Sequence, residues 1–175
     1  MMKKILSILV CLTALSAFSA DTNAVAAAKM ESGEAWVVSL GGAGSTATSG
    51  NATTAFGVDI SVGHTGYLLL PIEVGVRQTV AWSNDDSGVY STRLYSDWTV
   101  LSMAQNTLDV FAGANVGLTY GDVQSFWTAA PEVGARWWVK KDVAVLGRAE
   151  FPFRISDAAK FTDTVAYFVG FSVKF

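Results

Sequence analysis

The 175-residue sequence has few charged and few chemically reactive side chains. Charged residues make up only 15% of it against 51% apolar residues, and it contains one histidine, one cysteine and three prolines. The histidine, His64, and the cysteine, Cys11, supply too few ligands for a usual zinc site, and a single cysteine cannot form a disulfide within the chain. The net charge of −3 is too small to steer a charged partner, and no basic stripe is present. We therefore expect no metal, no cofactor and no nucleic-acid partner.

Long apolar runs are missing after the N-terminal segment. No later window approaches the roughly 20 apolar residues of a membrane-spanning helix. A soluble protein with this composition would need a large core. A barrel that faces lipid instead carries its apolar side chains outside, on strands of about ten residues in which apolar and polar positions alternate. The composition therefore favours a β-barrel in a membrane.

The N-terminus has the features of a secretory signal peptide. A basic start precedes the apolar run Ile5–Leu15, and small residues follow in Ser16–Ala20. This order predicts a signal peptide over residues 1–19, cleaved near 19–20. The apolar run is too short to span a membrane. Residues 20–33 then form a polar leader without periodicity.

The rest of the chain alternates with a period of two, which is the pattern of strands with one apolar face. We predict eight antiparallel strands that close into an up-and-down barrel, since single-chain bacterial barrels have an even strand number. The predicted strands are Glu34–Ser45, Thr54–Gly63, Leu68–Ser83, Tyr90–Val100, Leu108–Tyr120, Thr128–Val139, Val143–Ile155 and Val165–Phe175. A proline inside a strand removes a ladder hydrogen bond, so the three prolines in these strands predict bulges: Pro71, Pro131 and Pro152.

The predicted connections divide between the two ends of the barrel. With the N-terminus on the periplasmic side, short turns near His64, Gln105 and Lys140 are periplasmic. The external connections are residues 44–53, 84–89, 121–126 and 156–163. All of these loops are short, so they offer little surface for a large ligand.

The last strand carries its apolar side chains on one face. Apolar residues alternate to the chain end at Tyr167, Val169, Phe171, Val173 and Phe175, and only Phe168 breaks the pattern. This segment resembles the terminal strand of bacterial outer-membrane proteins, which typically ends in Phe. The resemblance implies that these residues form the recognition signal for the barrel assembly machinery.

Residues 34–175 as a whole resemble the small eight-stranded outer-membrane barrels, the group of the OmpA-like transmembrane domain, OmpX and the opacity proteins. The resemblance rests on the strand pattern, the signal peptide and Phe175, and no catalytic motif contributes to it. It implies an exported, integral protein of the Gram-negative cell outer membrane, monomeric, with lipid and the assembly machinery as partners. Members of this group are envelope stabilisers, adhesins, host-evasion factors or narrow pores.

Charged side chains fall on the inward face of the predicted strands. An eight-stranded barrel is only wide enough for side chains to fill its interior, so buried charges there must pair. The predicted lumen network has Asp59, Glu73, Arg77, Arg93, Asp97, Asp109, Glu132, Arg136, Arg148, Glu150 and Arg154. Nearly balanced signs favour a structural network that closes the lumen, and the alternative is a pathway for ions or protons.

Two of the predicted strands contain similar segments. Pro71–Arg77 reads PIEVGVR and Pro131–Arg136 reads PEVGAR. Nothing else recurs at this spacing, so the similarity indicates like interior environments in the third and sixth strands and no repeat architecture. Within each strand the acid and the arginine lie two inward steps apart, so each is expected to pair with another strand.

Aromatic residues cluster toward the predicted strand ends, where amphipathic rings suit the lipid interface. The tryptophans assigned to this interface are Trp36, Trp82, Trp127 and Trp137.

An enzymatic site has little support in the sequence. The only histidine is assigned to a turn, whereas its nearest candidate partners, Asp59 and Ser61, face the lumen. The segment Gly41–Gly44 lacks the lysine and the helix of a phosphate-binding loop. We expect a non-enzymatic membrane barrel, structural or surface-interacting, with a narrow porin as the alternative. A soluble periplasmic barrel of lipocalin type would have the opposite sidedness.

Overall fold

The computed structural model describes residues 34–48, 54–66, 71–83, 87–103, 107–122, 125–155, 160–161 and 164–175. The predicted signal peptide and leader lie outside the described residues. No helix in these ranges could cross a membrane.

Eight long antiparallel strands close into a barrel, which confirms the predicted fold class. They are β1 (Ala35–Ala47), β2 (Ala55–Thr65), β3 (Ile72–Ser83), β4 (Gly88–Met103), β5 (Leu108–Gly121), β6 (Phe126–Lys140), β7 (Val143–Glu150) and β10 (Thr164–Lys174). Two short strands of two residues each, β8 (Phe153–Arg154) and β9 (Lys160–Phe161), lie between β7 and β10 in the chain and pair with each other. Each long strand pairs with its neighbours in chain order, and β1 pairs with β10 to close the sheet.

Along each strand the side chains alternate between the exposed outer surface and the buried interior of the barrel. In β2, Ile60 is 45% exposed, whereas the adjacent Asp59 and Ser61 are buried. The same alternation places Val74 and Val116 outside and Arg136 inside. The outer surface is therefore apolar and the interior polar, which is the reverse of a lipocalin-type barrel.

The ends of the barrel differ in how the lumen is filled. We call the end with Ala35 and Lys174, the first residue of β1 and the last of β10, the lower end. Apolar side chains fill the lumen there, including the buried Val37 and Leu146. Glycines make room for inward rings: a Cβ at Gly134 would collide with the ring of Phe111. No such set of apolar side chains fills the upper end among the described residues.

Several strand limits differ from the prediction. β4 is longer at both ends, and its pairing with β5 shifts register between Thr99 and Leu101. A second shift lies between Trp138 and Lys140 in the pairing of β6 with β7. The bulges therefore lie at these two places and not at the prolines, because an extra residue in one strand, and not a missing donor, produces the shift.

The predicted seventh strand is interrupted. β7 ends at Glu150, and Phe151 and Pro152 separate it from β8. The Phe151 N–H donates to the Pro131 carbonyl (3.1 Å). Pro131 of β6 therefore lies next to the interruption that contains Pro152. Pro71 precedes β3, and its carbonyl accepts from the Thr99 N–H (2.9 Å).

His64 was assigned to a turn, and this prediction is wrong. His64 lies in β2, where it pairs with Trp36 of β1 and Val74 of β3. Its ring meets the Trp36 ring edge-on, with centroids 5.1 Å apart. The strand continues to Thr65, and the backbone turns at Gly66, whose φ of 89° favours glycine.

The sidedness makes Ile60→Arg a test of the fold. At the middle of a lipid-facing strand, arginine costs about 2–4 kcal/mol of unfolding free energy, and about 0–1 kcal/mol near the interface. We therefore expect Ile60→Arg to lower the unfolding free energy more than the control Thr54→Arg, because Thr54 precedes β2 and Ile60 lies in the middle of that strand. Urea unfolding in lipid vesicles measures it, and equal effects of the two substitutions would contradict a lipid-facing β2.

Candidate functional site

The lumen contains two ion pairs between the similar segments of β3 and β6. Arg77 donates to both Glu132 oxygens, with Nη1–Oε2 at 2.7 Å and Nη2–Oε1 at 3.3 Å. Arg136 Nη2 lies 2.7 Å from Glu73 Oε2. All four side chains are nearly inaccessible to solvent. The arginine of each segment thus pairs with the acid of the other segment.

The direction of the strands explains this reciprocal pairing. Each strand from β3 to β6 is antiparallel to the next, so β3 and β6 run in opposite directions. Both have the order acid, then arginine. The acid of one is therefore level with the arginine of the other, and each pair joins β3 to β6 across the lumen.

Glu150 is the carboxylate with the most donors. Its Oε1 accepts from Arg77 Nη1 and Arg148 Nε, both at 2.9 Å. Its Oε2 accepts from Arg93 and, at 3.3 Å, from Asn115. Three arginines from three strands thus share one carboxylate, and planar guanidinium groups suit such bridging.

Asp59 belongs to the same cluster. Arg148 Nη2 donates to Asp59 Oδ1 (3.3 Å), and the Thr79 hydroxyl donates to Asp59 Oδ2 (2.6 Å). Arg148 therefore joins β2 to Glu150 at the upper end of β7. These contacts tie Arg77, Arg93 and Arg148 to their acids in one cluster, and the pair of Arg136 with Glu73 completes the network of four arginines beside it.

Three of the predicted network residues have other surroundings. Asp109 accepts from Trp138 Nε1 (2.6 Å) and from the Ser102 hydroxyl (2.5 Å), both uncharged donors. Arg154 is half-buried, and its guanidinium lies over the Phe126 ring at 3.8 Å. Asp97 is buried, but its Oδ2 is 3.9 Å from Arg136 Nη2, beyond hydrogen-bond length.

Sequence analysis assigned no role to the aromatic residues inside the lumen. Three buried rings each face one guanidinium: Tyr95 faces Arg77, Phe111 faces Arg136 and Phe168 faces Arg148, at 4.5–4.9 Å from the centroid. Cation–π attraction operates at these distances. The signal was available, since each ring occupies an inward position of an alternating strand. Phe168 was the residue that broke the pattern of the last strand.

A cavity of about 110 Å³ lies above the network. Arg93, Arg148 and Glu150 line it together with small side chains such as Ser45, Ser91 and Ala81. Arg93 is the most exposed of the four network arginines, at 13% of its side chain. The upper lumen thus has open space down to the network.

The residues considered for catalysis do not come together. Asp59 and Ser61 point into the lumen, whereas His64, at an even position of β2, contacts Trp36 on the other face. The described ranges contain no group of three or more His, Cys, Asp or Glu side chains placed to hold a metal ion.

The predicted interface tryptophans lie on the outer surface and are all exposed: Trp36, Trp82, Trp127 and Trp137. In the last strand Tyr167, Val169, Phe171 and Phe175 are also exposed, and Val173 is half-exposed. Phe175 is held at the barrel seam, where its N–H donates to the Trp36 carbonyl (2.9 Å).

The fold is that of the small outer-membrane β-barrels. The chain is similar to Neisserial surface protein A (NspA), with a TM-score of 0.57 at 13% identity over 81% of this chain and 95% of that one. It is similar to the N-terminal β-barrel domain of Pseudomonas aeruginosa OprF, with a TM-score of 0.54 at 12% identity over 81% and 97%. Outer membrane protein OprG from Pseudomonas aeruginosa gives 0.53 at 12% identity over 82% and 96%. No protein-family model and no curated protein matches the sequence.

The reciprocal ion pairs predict that the barrel loses much of its stability when one member of a pair is removed and the other stays buried. Arg136→Met should lower the unfolding free energy by about 3–5 kcal/mol because it leaves Glu73 buried and uncompensated. Glu73→Gln together with Arg136→Met should cost less than the sum of the single changes, by about 0.5–3 kcal/mol. Urea unfolding in detergent micelles measures both.

Arg154→Met is the matched control, because this arginine is half-buried, and we expect a smaller loss. Additive effects of Glu73→Gln and Arg136→Met would show that the two side chains do not stabilise each other.

Proposed function

We propose that the protein is a non-enzymatic, integral outer-membrane barrel with a structural or surface-interacting role and a lumen closed by its arginine–carboxylate network. The observation that supports this most is the arrangement of Arg77, Arg136 and Arg148. Each contacts carboxylates of other strands and is stacked on an aromatic ring. Such bonded and packed side chains leave little freedom for ions to pass.

The proposed location follows from the fold and from the outer surface. Exposed valines, leucines and phenylalanines cover the barrel wall, with tryptophans among them. In water such a large apolar surface would drive association, whereas in lipid it is the surface required. The proposal includes lipid as the surrounding partner, the assembly machinery as the partner during biogenesis through the strand that ends at Phe175, and a monomeric state.

The second candidate function is a narrow porin. The cavity above the network favours it, because solutes could reach Arg93 and Glu150 from the upper end. The lower end opposes it, since Val37 and Leu146 are buried there. A hydrogen bond of 2.7 Å between the Ser39 and Ser172 hydroxyls lies in the same region.

Conductance in planar bilayers separates the two functions. We expect no steady single-channel steps from the wild type, after heat-modifiable migration on a gel has verified that the barrel is folded. Steady steps that change in Arg77→Met or Glu132→Gln would instead establish a porin. Gln78→Glu is the matched control, because Gln78 neighbours Arg77 in β3 and faces outward.

Extraction tests the location independently of the lumen. We expect release of the protein from cell envelopes by detergent and not by salt or mild osmotic shock, because the apolar wall requires lipid or detergent around it. Release without detergent would contradict an integral membrane protein.

A further inference from the structure

The inward charges do not balance. The five arginines, Arg77, Arg93, Arg136, Arg148 and Arg154, face six carboxyl groups, Asp59, Glu73, Asp97, Asp109, Glu132 and Glu150. One negative charge is therefore in excess if every group is ionised. An uncompensated charge in a narrow, side-chain-filled lumen is costly, so one acid is expected to be neutral or to bind a cation.

The contacts identify the acid that lacks compensation. Asp59, Glu73, Glu132 and Glu150 each have an arginine nitrogen within 3.3 Å. Asp109 accepts two hydrogen bonds from uncharged donors. Asp97 differs from all of these.

Asp97 is only 3% exposed, and its Oδ1 has no hydrogen-bond partner among the described residues. Its nearest cationic nitrogen, Arg136 Nη2, is 3.9 Å away and is committed to Glu73 at 2.7 Å. Gly113 of β5 pairs with Asp97 on one side and with Glu132 on the other, and the Asp97 carboxyl lies over this glycine, so a hydrogen bond can join the two acids. Two ionised carboxylates have no proton with which to form such a bond.

We propose that Asp97 and Glu132 form a proton-binding site in the lumen, in which Asp97 is the protonated partner and donates to Glu132. Glu132 suits the role of the anion because Arg77 donates to both of its oxygens and Asn115 donates to Oε2 at 2.8 Å. One bound proton leaves five arginines facing five anions. The site uses the network of the proposed function but does not depend on whether the lumen conducts.

The other charged groups around Asp97 come from each element that packs against it. Glu73 and Arg77 lie on β3, Tyr95 on β4 itself, Asp109 on β5, and Arg136 on β6 beside Glu132. The arginines are already paired with Glu73, Glu132 and Glu150. Gly113, opposite Asp97 on β5, supplies no side-chain donor.

The proton requirement is tested by the pH dependence of folding. If the native barrel binds one proton more than the unfolded chain, in which Asp97 is ionised, stability falls as pH rises. Above about pH 5, where an unfolded aspartate is ionised, the folding equilibrium constant of the wild type should fall with rising pH, by up to about tenfold per pH unit, relative to Asp97→Asn. Urea unfolding in lipid vesicles measures this. Equal slopes for the two proteins would overturn the proposal.

Asp109→Asn is the matched control, because Asp109 is an inward aspartate on the neighbouring strand that accepts hydrogen bonds from Trp138 and Ser102. It should keep the slope of the wild type. If Asp109→Asn reduced the pH dependence of stability as much as Asp97→Asn does, the proton could not be assigned to Asp97. This result would also overturn the proposal.

A second measurement needs no variant to fold. The wild-type barrel with ¹³C in its aspartate carboxyl groups should give, at neutral pH, the infrared band of a protonated carboxylic acid. Asp97→Asn should abolish this band if it folds. Absence of the band from the wild type would exclude a protonated Asp97. This result does not depend on whether the barrel conducts ions, so it tests the proton site separately from the proposed function.

Discussion

The structure depends on one constraint, that charge buried inside a narrow barrel must be compensated there. Eight strands enclose a space that side chains fill, so little water is available to solvate a guanidinium or a carboxylate. Arginine meets this constraint well because its planar group can bind several carboxylates and stack on a ring at once. Arg77 does all of this through Glu132, Glu150 and Tyr95. Arg77 thereby joins β3 to β6 and β7, which are not its neighbours in the sheet.

The same constraint gives the interior its asymmetry. At the lower end apolar side chains such as Val37 and Leu146 fill part of the lumen and need no partners. At the upper end small residues leave a cavity above Arg93 and Glu150. The network lies between them, so it forms the floor of the open part of the lumen.

Much of the fold could be predicted because alternation is a local property. Residues such as Ile60 and Asp59 differ in polarity, and a strand necessarily places neighbours on opposite faces. Strand ends were less predictable. His64 reads as part of a turn beside Gly63 and Gly66, yet pairing with β1 and β3 extends the strand to Thr65. The interruption after Glu150 likewise depends on the neighbouring strand.

The sequence by itself determined the faces of the strands, and with them the barrel class and the set of charges that would be inside. It also indicated that Glu73 and Arg136 would find partners on other strands. Only the tertiary structure decided which partners, because the level of each side chain in the lumen depends on strand direction, register and closure. These are properties of the whole sheet. The lack of an arginine partner for Asp97 likewise follows from this arrangement, in which the buried arginines bind Asp59, Glu73, Glu132 and Glu150.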